Sequence, residues 1–115
     1  MSVPHRIRLC AAWEVTAGGT VWTRSFGRPS GITGTDRLWI VIGRPAACTA
    51  LLNGRPLPPV PAGDAEWRHD VTADLRTRNE LRLEFADSPG AVRGDGRSTL
   101  PDSLGDVVIE IEPVV

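Results

Sequence analysis

Residues 79–87, NELRLEFAD, carry the clearest structural pattern in this sequence. Apolar Leu81, Leu83 and Phe85 alternate there with charged residues at positions 80, 82 and 84. Successive side chains of a β-strand point to opposite faces of its sheet, so the pattern predicts a strand with one buried and one solvent-facing side. The segment therefore indicates a β-sheet that covers a hydrophobic core.

Strand patterns continue on both sides of this segment. They occupy residues 6–15, 20–26, 37–43, 46–54 and 106–114. The stretch 37–43 is apolar at both alternating sets of positions, which is typical of a central strand covered on both faces. No segment keeps a helical period over three turns, and the 12 glycines and 10 prolines cluster between the strands. Short strands separated by such turns predict an all-β sandwich, with one domain over residues 1–115.

Composition limits the functions open to the chain. It has 115 residues, 41% of them hydrophobic, and a formal net charge of −1. A charge so close to zero gives no electrostatic basis for binding nucleic acid or an anionic membrane. No apolar run approaches the ~20 residues of a membrane-spanning helix, and the N-terminus lacks the pattern of a signal peptide. We therefore expect a cytoplasmic protein with no nucleic-acid or membrane partner.

Three motifs follow one another along the chain. WTRSF at 22–26 is an aromatic-x-Arg-x-Phe strand, Asn-Gly at 53–54 ends a pair of apolar strands, and DVT at 70–72 precedes the alternating strand. In this order and spacing they resemble the N-terminal sugar-binding module of glycoside hydrolase family 2, the β-galactosidases and β-glucuronidases, over roughly residues 12–112. The resemblance implies a jelly-roll β-sandwich of the galactose-binding-like class. It also implies a chain without catalytic residues, because the family's catalytic carboxylates belong to a separate (β/α)8 barrel.

The chain departs from the family pattern in two places. Thr77-Arg78 stands where the family usually has Pro-Gly, and STLPDSLGD at 98–106 replaces its usual Gly-Ile-Trp-Arg stretch. In the complete enzymes that stretch lies near the active site. The departure therefore favours a chain that does not serve a catalytic pocket.

The residues themselves also argue against an enzyme. A glycosidase holds two carboxylates ~5–9.5 Å apart across a cleft, whereas the glutamates here fall mostly on outward strand positions or in loops. No Gly-x-Ser-x-Gly motif supplies a nucleophile for His5 or His69, the only two histidines. Neither these histidines nor the aspartates at 87, 95, 102 and 106 have the spacing of a metal site. We expect no catalysis, no cofactor and no bound metal.

Carbohydrate binding has a more specific candidate site. Trp67, Arg68 and His69 lie beside a loop in the stretch EWRHD, and Asn53 is predicted to lie within reach of them. Sugars stack their C–H faces on aromatic rings and are oriented by a few planar polar groups. The alternative is that Trp67 and His69, two residues apart, form the core and rim of the sandwich. We therefore predict a non-catalytic binding module for carbohydrate, with a structural or protein-interaction domain that binds no sugar as the alternative.

Arg24 and the two cysteines are predicted to have structural roles. Arg24 shares a strand face with Trp22 and Phe26. An arginine on a buried face needs a carboxylate or carbonyl partner, so its replacement should lower stability. Cys10 and Cys48 lie far apart in apolar runs and are predicted to be buried free thiols.

The segment RPLPPVP at 55–61 has two interpretations. Its basic-x-x-Pro-x-x-Pro spacing matches a peptide that binds SH3 domains. The preceding Asn53-Gly54 instead favours a hairpin turn followed by a loop that proline stiffens. We favour the loop, because nothing else in the sequence indicates signalling.

Overall fold

Two antiparallel sheets packed face to face form the molecule. The computed structural model describes residues 5–9, 11–29, 31–32, 34–63, 65–87, 96–99 and 106–113. Within these ranges the strands are β1 (His5–Arg8), β2 (Trp13–Thr16), β3 (Val21–Gly27), β4 (Arg37–Ile42), β5 (Cys48–Leu52), β6 (Arg55–Pro56), β7 (Trp67–Asp70), β8 (Arg78–Phe85), β9 (Gly96–Ser98) and β10 (Val107–Glu112). The only helical element in the described residues is a short 3₁₀ turn at Ala17–Gly19. The predicted all-β sandwich is confirmed.

The strands divide into a sheet of four and a sheet of six. The smaller sheet has the order β1-β10-β4-β7, and the larger has the order β6-β5-β8-β3-β2-β9. All the pairings are antiparallel, including the long one between β3 and β8, in which Trp22 lies opposite Leu83. Strands distant in sequence are neighbours in space, so forming each sheet requires many contacts between distant parts of the chain.

The core lies between the two sheets. Leu81, Leu83 and Phe85 of β8 are buried, as their alternation predicts. Trp13 and Trp22 are completely buried, and each satisfies its indole N–H within the core. Trp13 Nε1 donates to the Leu9 carbonyl at 2.5 Å, and Trp22 Nε1 donates to the Gly19 carbonyl at 2.9 Å. Trp13 and Trp22 therefore supply core volume with their own indole donors paired, whereas the buried Nε1 of Trp39 has no hydrogen-bond partner among the described residues.

One predicted strand is wrong. Residues 6–15 form β1 and β2, which belong to different sheets. Ala12 between them has a positive φ of 62°, which an L-residue does not adopt within a strand. The chain turns there and crosses from one sheet to the other, so the alternation that joined Ile7 to Trp13 spans two separate elements.

The predicted turn at Asn53-Gly54 is confirmed. Both residues have positive φ, 54° and 80°, as a type I′ hairpin turn requires. The Asn53 amide then joins the hairpin to β8: its Oδ1 accepts from Glu80 N at 2.9 Å and its Nδ2 donates to Asn79 Oδ1 at 3.1 Å. Asn79 in turn closes the loop before β8 through two 2.8 Å bonds with the Arg76 backbone.

The proline-rich segment is part of the sandwich. Leu57 and Val60 are only 8% and 2% exposed. The backbones of Val60 and Cys48 exchange hydrogen bonds of 3.1 and 3.2 Å, and Leu57 N donates to Ala50 O at 2.8 Å. An SH3 ligand must present such apolar side chains to its partner. In the folded chain they face the core, so this segment is the stiffened loop and not an accessible peptide.

No helix in the described residues is long and apolar enough to cross a membrane. Cys10, Asp95 and Asp102, which the sequence analysis considered, lie outside these residues.

Candidate functional site

Trp67 and His69 lie together at an edge of the smaller sheet. They are opposite Ile42 and Ile40, whose side chains face the core, so both rings are on the inner face of β7. The rings stack with their centroids 6.1 Å apart and an interplanar angle of 24°. Trp67 packs against the core, and both residues are half-buried. The expected shared face of these two residues is therefore present.

Arg68 points to the opposite, outer face of the same strand. Its Nη2 donates to Glu110 Oε1 at 2.7 Å and its Nη1 donates to Glu66 Oε1 at 3.2 Å. The guanidinium also lies over the Trp39 ring, 5.0 Å from its centroid. Arg68 thus covers the outer face of β4, which accounts for the apolar residues on both faces of that strand.

Glu110 is the centre of this outer-face cluster. Its side chain is only 4% exposed and lies between Arg68 and Arg6, whose Nη2 is 2.8 Å from Glu110 Oε2. Burial alone would raise the pKa of Glu110, but the hydrogen bond and charge of Arg68, with the charge of Arg6, hold that pKa below its usual value. The hydrogen bond to Glu110 likewise raises the pKa of Arg68. Glu110 is consequently ionised at neutral pH, and its role is structural.

Asn53 belongs to the larger sheet, whereas Trp67, Arg68 and His69 belong to the smaller one. Its amide is bonded to Asn79 and Glu80. The structure thus brings Trp67 and His69 together, directs Arg68 to the other face, and assigns Asn53 to a turn. Carbohydrate binding by these four residues stays a prediction, and Trp67 and His69 are the two whose side chains are seen in contact.

A half-open cavity of about 670 Å³ lies at the other edge of the smaller sheet. We call it the β1 groove, since it lies between β1, the end of β10 and the loop that joins β3 to β4. Aliphatic and proline side chains form much of its lining: Ile7, Ile32, Ile111, Pro29 and Pro113. His5, Arg6 and Asp36 contribute polar groups. Ile7 is 41% exposed and is the one large hydrophobic side chain of the described residues that is so open.

This groove is not evident from the sequence. Its residues come from three distant segments, and only the pairing of β1 with β10 brings His5 opposite Ile111. The available signal was the composition of β1, HRIR, whose single apolar residue is too little to form a buried face. Such a strand at a sheet edge leaves its apolar residue uncovered.

Arg24 occupies a structural position. Its Nε donates to the Ala11 carbonyl at 2.8 Å, and its Nη1 donates to the Ser25 carbonyl. They are the carbonyl partners expected for an arginine on a buried strand face. They fasten the turn at Ala12 to β3, beside a small polar pocket lined by Glu14, Thr23, Ser25 and Glu80 among others.

The described residues contain no group of three or more His, Cys, Asp or Glu side chains placed to hold a metal. Cys48 is half-buried, and burial raises its pKa to about 11. Its thiol is therefore protonated at neutral pH and a poor nucleophile.

No protein-family model and no curated protein sequence matches the chain. Solved structures do match it. An FMN-binding β-glucuronidase from Facaelibacterium prausnitzii L2-6 superposes with a TM-score of 0.67 at 17% identity, over 98% of this chain and 23% of that one. The Bifidobacterium dentium β-glucuronidase, solved with coumarin-3-O-glucuronide, gives 0.68 at 15% identity, over 99% and 30%. The Dictyoglomus thermophilum β-glucuronidase gives 0.62 at 11%, over 98% and 29%.

At these identities the likeness is one of fold. The chain spans between about a quarter and a third of the length of the β-glucuronidases it superposes on. The same sandwich is thus one part of each of these longer chains.

Proposed function

We propose that this chain is a non-catalytic β-sandwich module that packs against another protein domain in an assembly of the glycoside hydrolase type. The observation that carries the proposal is the β1 groove, an aliphatic cavity beside a sheet edge with Ile7 uncovered. A surface of this kind is typical of a protein contact. The likeness of the whole chain to part of longer β-glucuronidases supports this role, because a module within a longer chain has neighbours to contact.

The chemistry of the buried carboxylate supports a non-catalytic role. A glycosidase needs a general acid whose pKa is raised, together with a second carboxylate across a cleft. Glu110 is the buried carboxylate of the described residues, and its pKa is lowered by Arg68 and Arg6. It is held as an anion by two arginines and is unsuited to donate a proton.

The β1 groove also differs from a sugar site. Carbohydrate sites present aromatic rings on which C–H faces stack. The lining of the groove contains isoleucine and proline, with His5 as its one ring of aromatic character. These side chains suit an aliphatic side chain of a protein partner better than a pyranose.

Site-specific photo-cross-linking tests the proposal. A benzophenone amino acid replaces Ile7 in the natural protein, and a control copy carries it at Thr49, which is exposed on the larger sheet. We expect position 7 to cross-link to one defined protein or to a further domain of the same chain, and position 49 to give no such product. Equal products from the two positions, or none from position 7, would contradict the packing role.

Carbohydrate binding remains a second candidate function because Trp67 and His69 form a stacked, partly open pair at the β7 edge. Titration calorimetry with galactose, glucuronic acid and their β-glycosides distinguishes the two. The packing role predicts no heat of binding at millimolar sugar. Binding that Trp67→Ala abolishes and Thr49→Ala leaves intact would establish the second candidate instead.

A further inference from the structure

This step rests on the proposed packing function, and β1 itself indicates which kind of segment the partner contributes. We propose that the β1 groove binds an extended segment of a partner protein, added as a new strand beside β1. This segment presents aliphatic side chains to the groove and an acidic side chain to Arg6. The backbone, the cavity and the charges of the described residues each support this assignment.

The backbone of β1 is oriented for strand addition. Leu9 N donates to Val107 O at 2.8 Å, and the register pairs Ile7 with Ile109 two residues away. Hydrogen-bonded pairs in an antiparallel ladder recur at every second residue. The N–H and C=O of Ile7 and Leu9 therefore point to β10, while those of Arg6 point to the other side of β1. In the described part of the chain no strand pairs with that side.

The groove gives the added strand a place for its side chains. Ile7 lies on the inner face of the sheet, because its partner Ile109 is buried in the core. A strand beside β1 would place its own inner-face side chains next to Ile7 and over Ile32. A cavity of about 670 Å³ accommodates aliphatic side chains, whose burial there removes Ile7 from water. The inner face of the partner segment must consequently be aliphatic.

The outer face of β1 favours an acidic side chain on the partner strand. Arg6 and Arg8 lie on this face, and β1 contains no carboxylate. The carboxylates of Glu110 and Glu66 both contact Arg6 Nη2, at 2.8 and 3.8 Å, and the Arg6 side chain is still 48% exposed. A guanidinium has five N–H donors and both contacts use the same nitrogen, so Arg6 can donate to a further carboxylate from a neighbouring strand. Cross-strand pairs of opposite charge stabilise a sheet.

The same charges disfavour a second copy of this chain as the occupant. A two-fold axis normal to the sheet keeps inner-face residues on the inner face, so it pairs residues of the same parity. Arg6 would then lie opposite Arg6 or Arg8 of the second copy. Like charges directly opposite each other are destabilising, and basic residues at sheet edges commonly prevent self-pairing.

Fluorescence anisotropy with synthetic peptides tests the assignment. The probe is a fluorescein-labelled peptide that alternates valine and glutamate, titrated with the intact chain at neutral pH. One control peptide has lysine for every glutamate, and a second has N-methylated valines that cannot form a ladder. We expect the glutamate peptide to bind at least tenfold more tightly than either control. Amide shifts in NMR spectra should then be largest at residues 5–8 and at Ile111.

Protein variants test the location. Ile7→Asp should weaken binding of the glutamate peptide at least tenfold, and the milder Ile7→Ser should weaken it severalfold. Thr49→Asp on the larger sheet should have no effect. Because Ile7 is partly exposed at an edge, both variants should retain the wild-type circular dichroism spectrum. If Ile7→Asp is unfolded, Ile7→Ser tests the location instead.

Several outcomes would overturn the assignment. These are equal binding of the lysine peptide, shifts confined to residues outside β1 and the groove, or no binding of the glutamate peptide. Concentration-dependent dimers in sedimentation equilibrium that Ile7→Asp abolishes would identify a second copy as the occupant instead. Cross-linking from position 7 without peptide binding would retain the packing function and reject strand addition, so the two failures are distinguishable.

Discussion

At the scale of single residues, polar side chains hold the backbone where it departs from a regular strand. Asn53 adopts a positive φ and joins its turn to β8, and Arg24 bonds the carbonyl beside Ala12, which also has a positive φ. Glu110 binds two arginines on the outer face of the smaller sheet. Each of these residues makes contacts that a simple substitution would remove, so each leads to a prediction.

Two substitutions of Asn53 should separate the free energy of its positive-φ backbone from that of its side-chain hydrogen bonds. Asn53→Ala should lower the free energy of unfolding by about 2–4 kcal/mol, since it removes two hydrogen bonds and places alanine at a positive φ. Asn53→Gly should cost about 1 kcal/mol less, because glycine adopts this φ freely. Urea denaturation of the two variants measures the difference, and equal losses would contradict this division.

Arg24→Ala should lower the melting temperature by several degrees. It removes hydrogen bonds to the carbonyls of Ala11 and Ser25, each contributing on the order of 1 kcal/mol. The matched control is Arg82→Ala, whose ion-pair partner Glu84 is partly exposed and which should cost less than about 0.5 kcal/mol. Calorimetry of both variants is the measurement. Unchanged stability of Arg24→Ala together with lost ligand binding would refute a structural role.

Acid should weaken the fold through Glu110 and Asp70. Arg68 and Arg6 hold the pKa of Glu110 low against the opposing effect of burial, and a hydrogen bond from Thr72 is the main cause that lowers the pKa of Asp70. A carboxyl whose pKa is lower in the folded state stabilises the fold above its unfolded pKa, and this stabilisation disappears as the pH falls through the folded pKa. The free energy of unfolding should therefore fall steadily below about pH 4.5.

Glu110→Gln tests this pH dependence. At neutral pH it should cost about 2 kcal/mol, because it removes the buried carboxylate that Arg68 and Arg6 share and leaves them only the more exposed Glu66. Its unfolding free energy should also depend less on pH in the acid range than that of the wild type. Urea unfolding at pH 7, 5 and 3 provides both comparisons. A variant with the same acid dependence as the wild type would show that another group is responsible.

At the scale of the elements, local pattern predicted the longer strands β3, β4, β5, β8 and β10, but not β6, β7 and β9, nor the division of the strands into sheets. Burial alternates over the whole length of β8, β10 keeps Ile109 and Ile111 on one face, and Asn53-Gly54 has the residues that a type I′ turn needs, so these were predicted correctly. The break between β1 and β2 rests on Ala12, and alanine gives no local signal for a positive φ. Strand pairing depends on contacts between distant residues, which periodicity does not encode.

The candidate site shows the same limit. Alternation along β7 does separate Trp67 and His69 from Arg68, so the division of these residues between two faces followed from sequence once the strand was known. The hydrogen bonds between Asn53 and β8 could not be predicted from the sequence, and neither could the β1 groove. Both depend on which strands are neighbours in the folded sheets.

The proline-rich loop leads to a prediction at the element scale. Leu57→Ala should lower the free energy of unfolding by about 2–3 kcal/mol, because it leaves a gap where a nearly buried side chain anchors the loop. Pro58→Ala is the control at an exposed neighbour and should cost less than about 0.5 kcal/mol. Urea denaturation compares the two. A loop that functioned as an exposed peptide would give small and similar losses at both positions.

At the scale of the whole molecule, the two edges of the smaller sheet offer different surfaces. The β7 edge carries the stacked Trp67 and His69 and suits the carbohydrate candidate, whereas β1 carries Ile7 beside an aliphatic groove and suits a protein partner. The fold is shared with part of three β-glucuronidases, which are several times longer than this chain. The central claim is that the β1 edge is the one that a neighbouring domain covers.

Hydrogen exchange tests this claim most directly. Exchange of the backbone amides is compared between the isolated 115-residue chain and the natural assembly in which position 7 cross-links. We predict that the Arg6 amide, which points away from β10, exchanges rapidly in the isolated chain and becomes protected in the assembly, while the amides of β7 are unchanged. Protection of β7 with no change at β1 would contradict it.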